Sequence, residues 1–307
     1  MRIKQIFFGI VSGWFVLSLA VLGYVTLKPP EAPHRSAAQR KVLSAVVANP
    51  PGVGSETSDE NSDPELAALV YRYCPVSVSQ HFEEVFIRDY FEDRKGGFFL
   101  DVGANHYKTQ STTYYMDTAL GWHGIAIDAI AEFAEGYAKH RPRTKFFPVF
   151  VGDKSDKDVD FFVILNNSRL STGNKETAEQ QGAYEKRPMK TVTLNSLLDS
   201  QKVTKIDLLS MDIELWEPQA LAGFDIERFK PELVVIEAHA QVKDKVFSYF
   251  AAHNYVEIEK YSKWDGRNVY FIPRDRMPAF LARKGIESAA IAAPTAIDKA
   301  ASTASAR

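Results

Sequence analysis

The chain has a single cysteine, Cys74, in 307 residues, which excludes an internal disulfide and a zinc site built from several thiolates. It has no excess of either charge: 37 basic against 39 acidic side chains leave a formal net charge of -2, so no overall basic field recommends a nucleic acid as partner. It also lacks the G-x-G-x-x-G pattern that the pyrophosphate of a dinucleotide needs, because Asn105 and Lys108 stand where the second and third glycines after Gly103 would be. What is present is an ordinary globular composition, 45% hydrophobic and 25% charged, sufficient for one large core with appendages.

The stretch from Phe98 to Asn105, F-F-L-D-V-G-A-N, runs apolar into Asp101 and then turns at Gly103. This is how a buried parallel strand delivers a ligand-binding turn to a sheet edge. Gly124 to Ile127 repeats the pattern and ends in Asp128, an acid at the spacing of a βαβ unit whose second carboxylate grips a ribose. S-adenosylmethionine has no phosphate; it needs one close backbone approach, acceptors for its ammonium group and an acid for its ribose, which this pattern supplies. Thr144 to Val151 reads as a third strand closing on Gly152 and Asp153. The candidates on the cofactor side are therefore Asp101, Gly103, Asn105, Asp128 and Asp153.

Ile6 to Leu27 carries no charged side chain and is long enough to span a bilayer as a single anchor over residues 1–28. A cleaved signal peptide, with processing near Val21-Leu22-Gly23, is the alternative. The basic residues on either side favour a cytoplasmic carboxyl side. Residues 29–63 read as a tether rich in proline, serine and alanine. The folded domain is expected over 64–275, with an alanine-rich tail over 276–307 that begins as a short helix.

Within that domain Ser79 is a candidate N-cap for a helix carrying Phe82, Val85, Phe86 and Tyr90 at helical spacing. Thr109 to Leu120 reads as a helix, or as a loop and short helix, and Asp158 to Leu165 as a strand. Asn166 to Lys190 reads as a polar excursion of lid or substrate-loop character, with Arg169 and Tyr184 facing the substrate. Ile206 to Met211 forms a fourth strand ending at Asp212, and the run D-I-E-L-W-E-P brings Glu214 and Glu217 close to it. Leu233 to Ile236 forms a fifth, followed by Glu237, Ala238 and His239. Tyr255 to Tyr261 and Asn268 to Ile272 pair as a terminal hairpin. The fold class is α/β, a mostly parallel sheet.

Several pieces together resemble the FkbM family of S-adenosylmethionine-dependent methyltransferases over Ser79 to Pro273. They are F-L-D-V-G-A-N at Phe99 to Asn105, Gly121-Trp122-His123-Gly124, Leu194-Asn195-Ser196-Leu197-Leu198, Met211-Asp212-Ile213-Glu214, Leu221-Ala222-Gly223-Phe224 and Ile236-Glu237-Ala238-His239. The resemblance implies a Rossmann-like sheet with an antiparallel last strand, and O-methylation. It places Asp101, Gly103 and Asn105 at the methionyl end of the cofactor and Asp128 at the ribose. The chain departs from the family at His106-Tyr107, where most relatives have Asp-Gly, and at Leu215-Trp216, where they have Gly-His. A reshaped loop and an altered pocket rim are expected.

The leading function is thus a membrane-tethered methyltransferase acting on a hydroxyl or carboxyl of a sugar-containing or lipid-linked small molecule, a glycan among them. His239 is the preferred base, Asp212 orients it or the acceptor, and Glu214 and Glu237 complete a polar wall. Two alternatives stand beside it: a metal-dependent hydrolase or transferase using Asp212, Glu214, Glu217, Glu237 and His239, and a non-catalytic binding module of the same fold.

Overall fold

The computed structural model describes residues 63–73 and 79–285. The expected anchor, most of the tether and the end of the tail lie outside them; among the described residues no helix is long and apolar enough to cross a membrane. The described chain opens with α1 (Pro64–Tyr73), which lies against α2 (Glu83–Phe91). Phe82 rather than Ser79 holds the N-cap position of this second helix, although the Ser79 hydroxyl, from further upstream, accepts the Glu84 N–H at 3.2 Å. The helix nevertheless starts later than the spacing implies, because Phe82 takes a left-handed turn (φ +68°) just before it.

After α2 come β1 (Phe98–Val102), α3 (Tyr114–Thr118), β2 (His123–Ile127), α4 (Ala134–His140), β3 (Thr144–Phe147), β4 (Phe150–Val151), β5 (Asp158–Ile164), α5 (Lys175–Gln181) and β6 (Tyr184–Val192). The chain continues through α6 (Leu194–Ser200), β7 (Leu208–Met211), α7 (Glu217–Ala222), α8 (Ile226–Phe229), β8 (Leu233–Glu237), α9 (Lys243–Ala252), β9 (Tyr255–Glu257), α10 (Glu259–Asp265), β10 (Asn268–Pro273) and α11 (Met277–Arg283). Seven strands form one sheet in the order β3-β2-β1-β7-β8-β10-β9. The first five run parallel and β10 alone is reversed, as a Rossmann-like methyltransferase sheet requires.

The strands are apolar on both faces because helices cover both. Leu100, Val102, Leu209, Met211, Val234 and Ile236 pack towards Leu194, Leu198, Leu221 and Phe250. Phe99, Leu208, Leu233, Val235 and Tyr270 pack towards Phe86, Ile87, Tyr90 and Trp122. Each large side chain so buried stabilises the fold by about 1.5–3 kcal/mol before entropy is counted. Phe280 of α11 is buried in the second layer, so the folded body runs past residue 275.

Three expectations need correcting. The third strand is two strands: Pro148 has no N–H for the ladder, and beyond it Phe150–Val151 leaves β2 to pair with Thr191–Val192. The excursion over 166–190 is not one polar loop, since it holds α5 and ends in β6, which is antiparallel to all of β5 in a three-stranded sheet of order β4-β6-β5. The terminal hairpin is interrupted, because α10 occupies Glu259–Asp265 between its two strands.

Candidate active site

Connections leave β1 in opposite directions along the sheet, through β2 on one side and β7 on the other. A crevice opens outside the carboxyl ends of strands at such a switch point. Gly103 shapes it. Its φ of +82° reverses the chain out of β1, and its N–H and that of Ala104 both donate to the Ile127 carbonyl, at 2.9 and 3.0 Å.

Asp128 ties the two turns together. One carboxylate oxygen accepts the Asn105 N–H and the other the Ile130 N–H, both at 2.9 Å. A carboxylate oxygen has two lone pairs, so each retains one for a further donor. Burial, opposed by these two bonds, pushes the Asp128 carboxyl up to about 6. It lies in a narrow cleft of about 50 Å³ walled by Ile130, Val149, Phe150, Phe161 and Trp216. The Trp216 indole packs on Phe150 at 5.3 Å and donates to the Val151 carbonyl at 3.0 Å, so this departure from the family pattern supplies an aromatic wall.

The other departures are accommodated in the same physical way. His106 Nδ1 accepts the N–H groups of Lys108 and Thr109 at 3.2 and 2.9 Å, and Tyr107 stacks on His140 at 4.5 Å. Leu215 stands at φ +72° directly after Glu214 at φ +52°. A left-handed residue with a Cβ costs about 1–2 kcal/mol, and here the Thr172 hydroxyl holds the segment by donating to the Glu214 carbonyl at 2.7 Å.

A second, polar cavity of about 480 Å³ adjoins the cleft. Asp101, Ser210, Asp212, Glu214, Glu237 and His239 line it from the strand ends, with Gln80, Gln110, Gln241, Asn167, Arg169 and Arg267 around them. Gly103, Asn105, Arg169, Asp212 and Glu214 line both spaces. Asp101 accepts the Thr113 hydroxyl at 2.6 Å, and burial raises its carboxyl above the ordinary range. Asp212 is open to the cavity yet hemmed in by protein; that burial, with repulsion from Glu237 and Glu214, raises it well above the ordinary range. Burial and the Glu237 charge push Glu214 up to about 7. His239 Nε2 lies 3.0 Å from Glu237 and 3.9 Å from Glu214, and the bond to Glu237 holds its ring above the ordinary imidazole value.

The four catalytic candidates Asp212, Glu214, Glu237 and His239 are therefore brought together, as are Asp101, Gly103, Asn105 and Asp128. Asp153 is not with them: it pairs with Lys157 at 3.7 Å on the turn after β4 and lines neither space. Arg169 reaches the site as expected, its guanidinium bonded to Gln110 and to Asn167; Tyr184 lines neither space and packs on Phe162.

Sequence reasoning missed Arg141, which is fully buried. It binds Asp117 at 3.0 Å, Ser111 at 3.2 Å, and both the carbonyl and hydroxyl of Thr113 at 3.1 Å, and so fixes the loop whose Thr113 holds Asp101. An arginine after a helix gives no local sign of burial. Charge pairing with Asp117 was the signal available.

A search of curated proteins finds no match to this chain. The family profile described as Methyltransferase FkbM domain matches residues 101–261, about half of the chain and the whole stretch from the acid of β1 to α10. The protein is a methyltransferase of the FkbM family.

Proposed function

We propose that this methyltransferase uses S-adenosylmethionine to methylate a hydroxyl of a polyhydroxylated, sugar-containing small molecule. The observation that carries the reading is the meeting of two unlike spaces at Gly103 and Asp212: an aromatic cleft that holds Asp128, and a polar cavity with a histidine and several acids. The residues fit the cofactor by their chemistry. The two free lone pairs of Asp128 suit vicinal ribose hydroxyls, Phe150, Phe161 and Trp216 suit an adenine face, and Asp101 with Asn105 suits a methionyl ammonium. Ser168 and Arg169 also line the cleft.

Bound there, S-adenosylmethionine would supply a methyl group on a sulfonium sulfur, the carbon–sulfur bond breaking with its electron pair left on sulfur as the acceptor oxygen takes the methyl. His239 removes the hydroxyl proton. Its Nε2 faces Glu237, so Nδ1 is the nitrogen left to accept. Asp212 and Glu214 orient the acceptor between the two spaces, which is the positioning that in-line transfer demands. The amides of Gln80, Gln110, Gln241 and Asn167 offer donors and acceptors together, the pairing that sugar hydroxyls require. The test is transfer of label from methyl-labelled S-adenosylmethionine to a sugar-containing component of a cell extract. An alkali-stable methyl ether supports hydroxyl methylation; label in an alkali-labile ester or on nitrogen contradicts it.

A further inference from the structure

Glu217 lies behind the polar cavity and is fully buried. Its Oε1 accepts the Ile213 N–H at 3.1 Å, and its Oε2 has no hydrogen-bond partner among the described residues. An ionised oxygen left bare in the interior is costly. Its neighbours do not relieve it. Asp212, Glu217 and Glu237 each bring a carboxylate oxygen to one point, all within 4.8 Å of one another. The ion pairs of this cluster join His239 to Glu237 and to Glu214, leaving Asp212 and Glu217 without a cationic side chain among the described residues. Three acids from three elements, the end of β7, the start of α7 and the end of β8, thus converge, and only Glu237 among them has a cationic partner, His239 at 3.0 Å.

We propose that Asp212, Glu217 and Glu237 bind one hard divalent cation at the back of the polar cavity. All the ligand atoms are carboxylate oxygens, the donor set of Mg²⁺, Mn²⁺ and Ca²⁺, whereas zinc prefers nitrogen and sulfur. The spacing fits. Ligand oxygens opposite one another lie about 4 Å apart around Mg²⁺ and about 5 Å apart around Ca²⁺. Asp212 opens onto the cavity, so coordination positions not taken by the three carboxylates face the acceptor. Resting on the methyl-transfer reading, the cation would be what holds two neighbouring acceptor oxygens in register with His239. Glu217 is then a cation ligand, not merely a reach-back cap for its own helix.

The experiment is an electron paramagnetic resonance titration of the full-length, chelator-stripped protein with Mn²⁺, with neither methyl donor nor acceptor present. One saturable site per chain is expected, with competition by Mg²⁺ or Ca²⁺. Glu217→Gln keeps an oxygen for the Ile213 N–H and should weaken Mn²⁺ at least tenfold; Glu237→Gln, read alongside it, should do the same and covers a failure of the first variant to fold. The thermal midpoint of the wild type should rise with Mn²⁺ and that of the variants should not. No saturable binding below about 1 mM, or equal Mn²⁺ affinity in wild type and the folded variants, overturns the site. Because this readout involves no methyl transfer, its failure leaves the proposed reaction standing, and failure of the labelled-methyl assay leaves the cation site standing.

Discussion

A Cβ added at Gly103 would stand 1.8 Å from the carbonyl oxygen of Asp212. The turn after β1 and the end of β7 therefore touch through backbone alone, and the N–H of Asp212 completes the join by donating to the Val102 carbonyl at 3.0 Å. Gly103→Ala meets both this contact and a positive φ, and neither can relax without moving a strand end. We expect a loss of stability above about 2 kcal/mol in urea unfolding. A variant that keeps wild-type stability would mean the two strand ends are not in contact.

Arg141→Met removes one partner of a buried pair and leaves Asp117, itself fully buried, facing only Arg143, Thr144 and its own loop. Breaking a buried pair costs about 3–5 kcal/mol when the remaining charge is left bare; because Arg143 still pairs with Asp117 at 3.1 Å, the loss should fall below that range but above about 1 kcal/mol. The same variant should loosen the loop carrying Thr113, so amide exchange over residues 111–113 should quicken relative to β8. A cost below about 1 kcal/mol would show that the interior does not depend on this arginine.

Cofactor affinity should depend on pH through Asp128. Ribose hydroxyls donate to the ionised carboxylate, and burial has raised this carboxyl from an ordinary 3.8 to about 6. Below that value a proton must be lost on binding, so affinity should fall by up to about tenfold per pH unit as pH drops under about 6, and be flat above it. The sign for folding is opposite. A raised carboxyl binds its proton more tightly in the folded chain, so its contribution to stability is complete below pH 3.8 and is lost as pH rises through about 6. Titration calorimetry with S-adenosylmethionine between pH 5 and pH 8 reads the first effect, and Asp128→Asn should abolish the pH dependence; a dependence unchanged in that variant would assign it elsewhere.

His239→Ala should lower turnover by roughly 10² to 10⁴ while leaving S-adenosylmethionine affinity within a factor of two or so, since His239 lines the polar cavity and not the aromatic cleft. Steady-state transfer from methyl-labelled S-adenosylmethionine to the acceptor found in the cell extract, paired with cofactor titration, separates the two. Near-normal turnover would assign the proton to solvent or to Asp212.

The parts of this site visible in the sequence are those where a buried parallel strand ends in a carboxylate. Phe98 to Asp101, Gly124 to Asp128, Ile206 to Asp212 and Leu233 to Glu237 were legible as strands because a strand covered on both faces is a nearly continuous apolar run; Asp101 and Ser210 are the polar residues carried inside β1 and β7, and β7 starts at Leu208 rather than Ile206. β6 was invisible for the converse reason. Its run Tyr184–Val192 puts Glu185, Lys186 and Arg187 in a row before Pro188, with no apolar alternation to mark it, and only its pairing with β5 makes it a strand. The division of Thr144 to Val151 turns on Pro148, and the burial of Arg141 turns on an aspartate distant in sequence. Asp153 had the look of another strand-end acid, but β4 has already left the main sheet when the chain reaches it. Glu217 was legible as a member of the acidic run; its bare oxygen was not, because that depends on which N–H its other oxygen accepts.

S-adenosylmethionine bound across the ends of β1 and β2 would set its ribose on Asp128. Calorimetric titration of the wild-type protein and of Asp128→Ala with S-adenosylmethionine at pH 7.5 tests this placement most directly. Charge-assisted hydrogen bonds of this kind contribute roughly 1.5–3 kcal/mol each, so saturable binding is expected in the wild type and at least tenfold weaker binding in Asp128→Ala, with the unliganded variant still unfolding cooperatively although it loses the acceptor of the Asn105 and Ile130 N–H groups. Equal affinity in the two proteins, or no binding to the wild type, would contradict it.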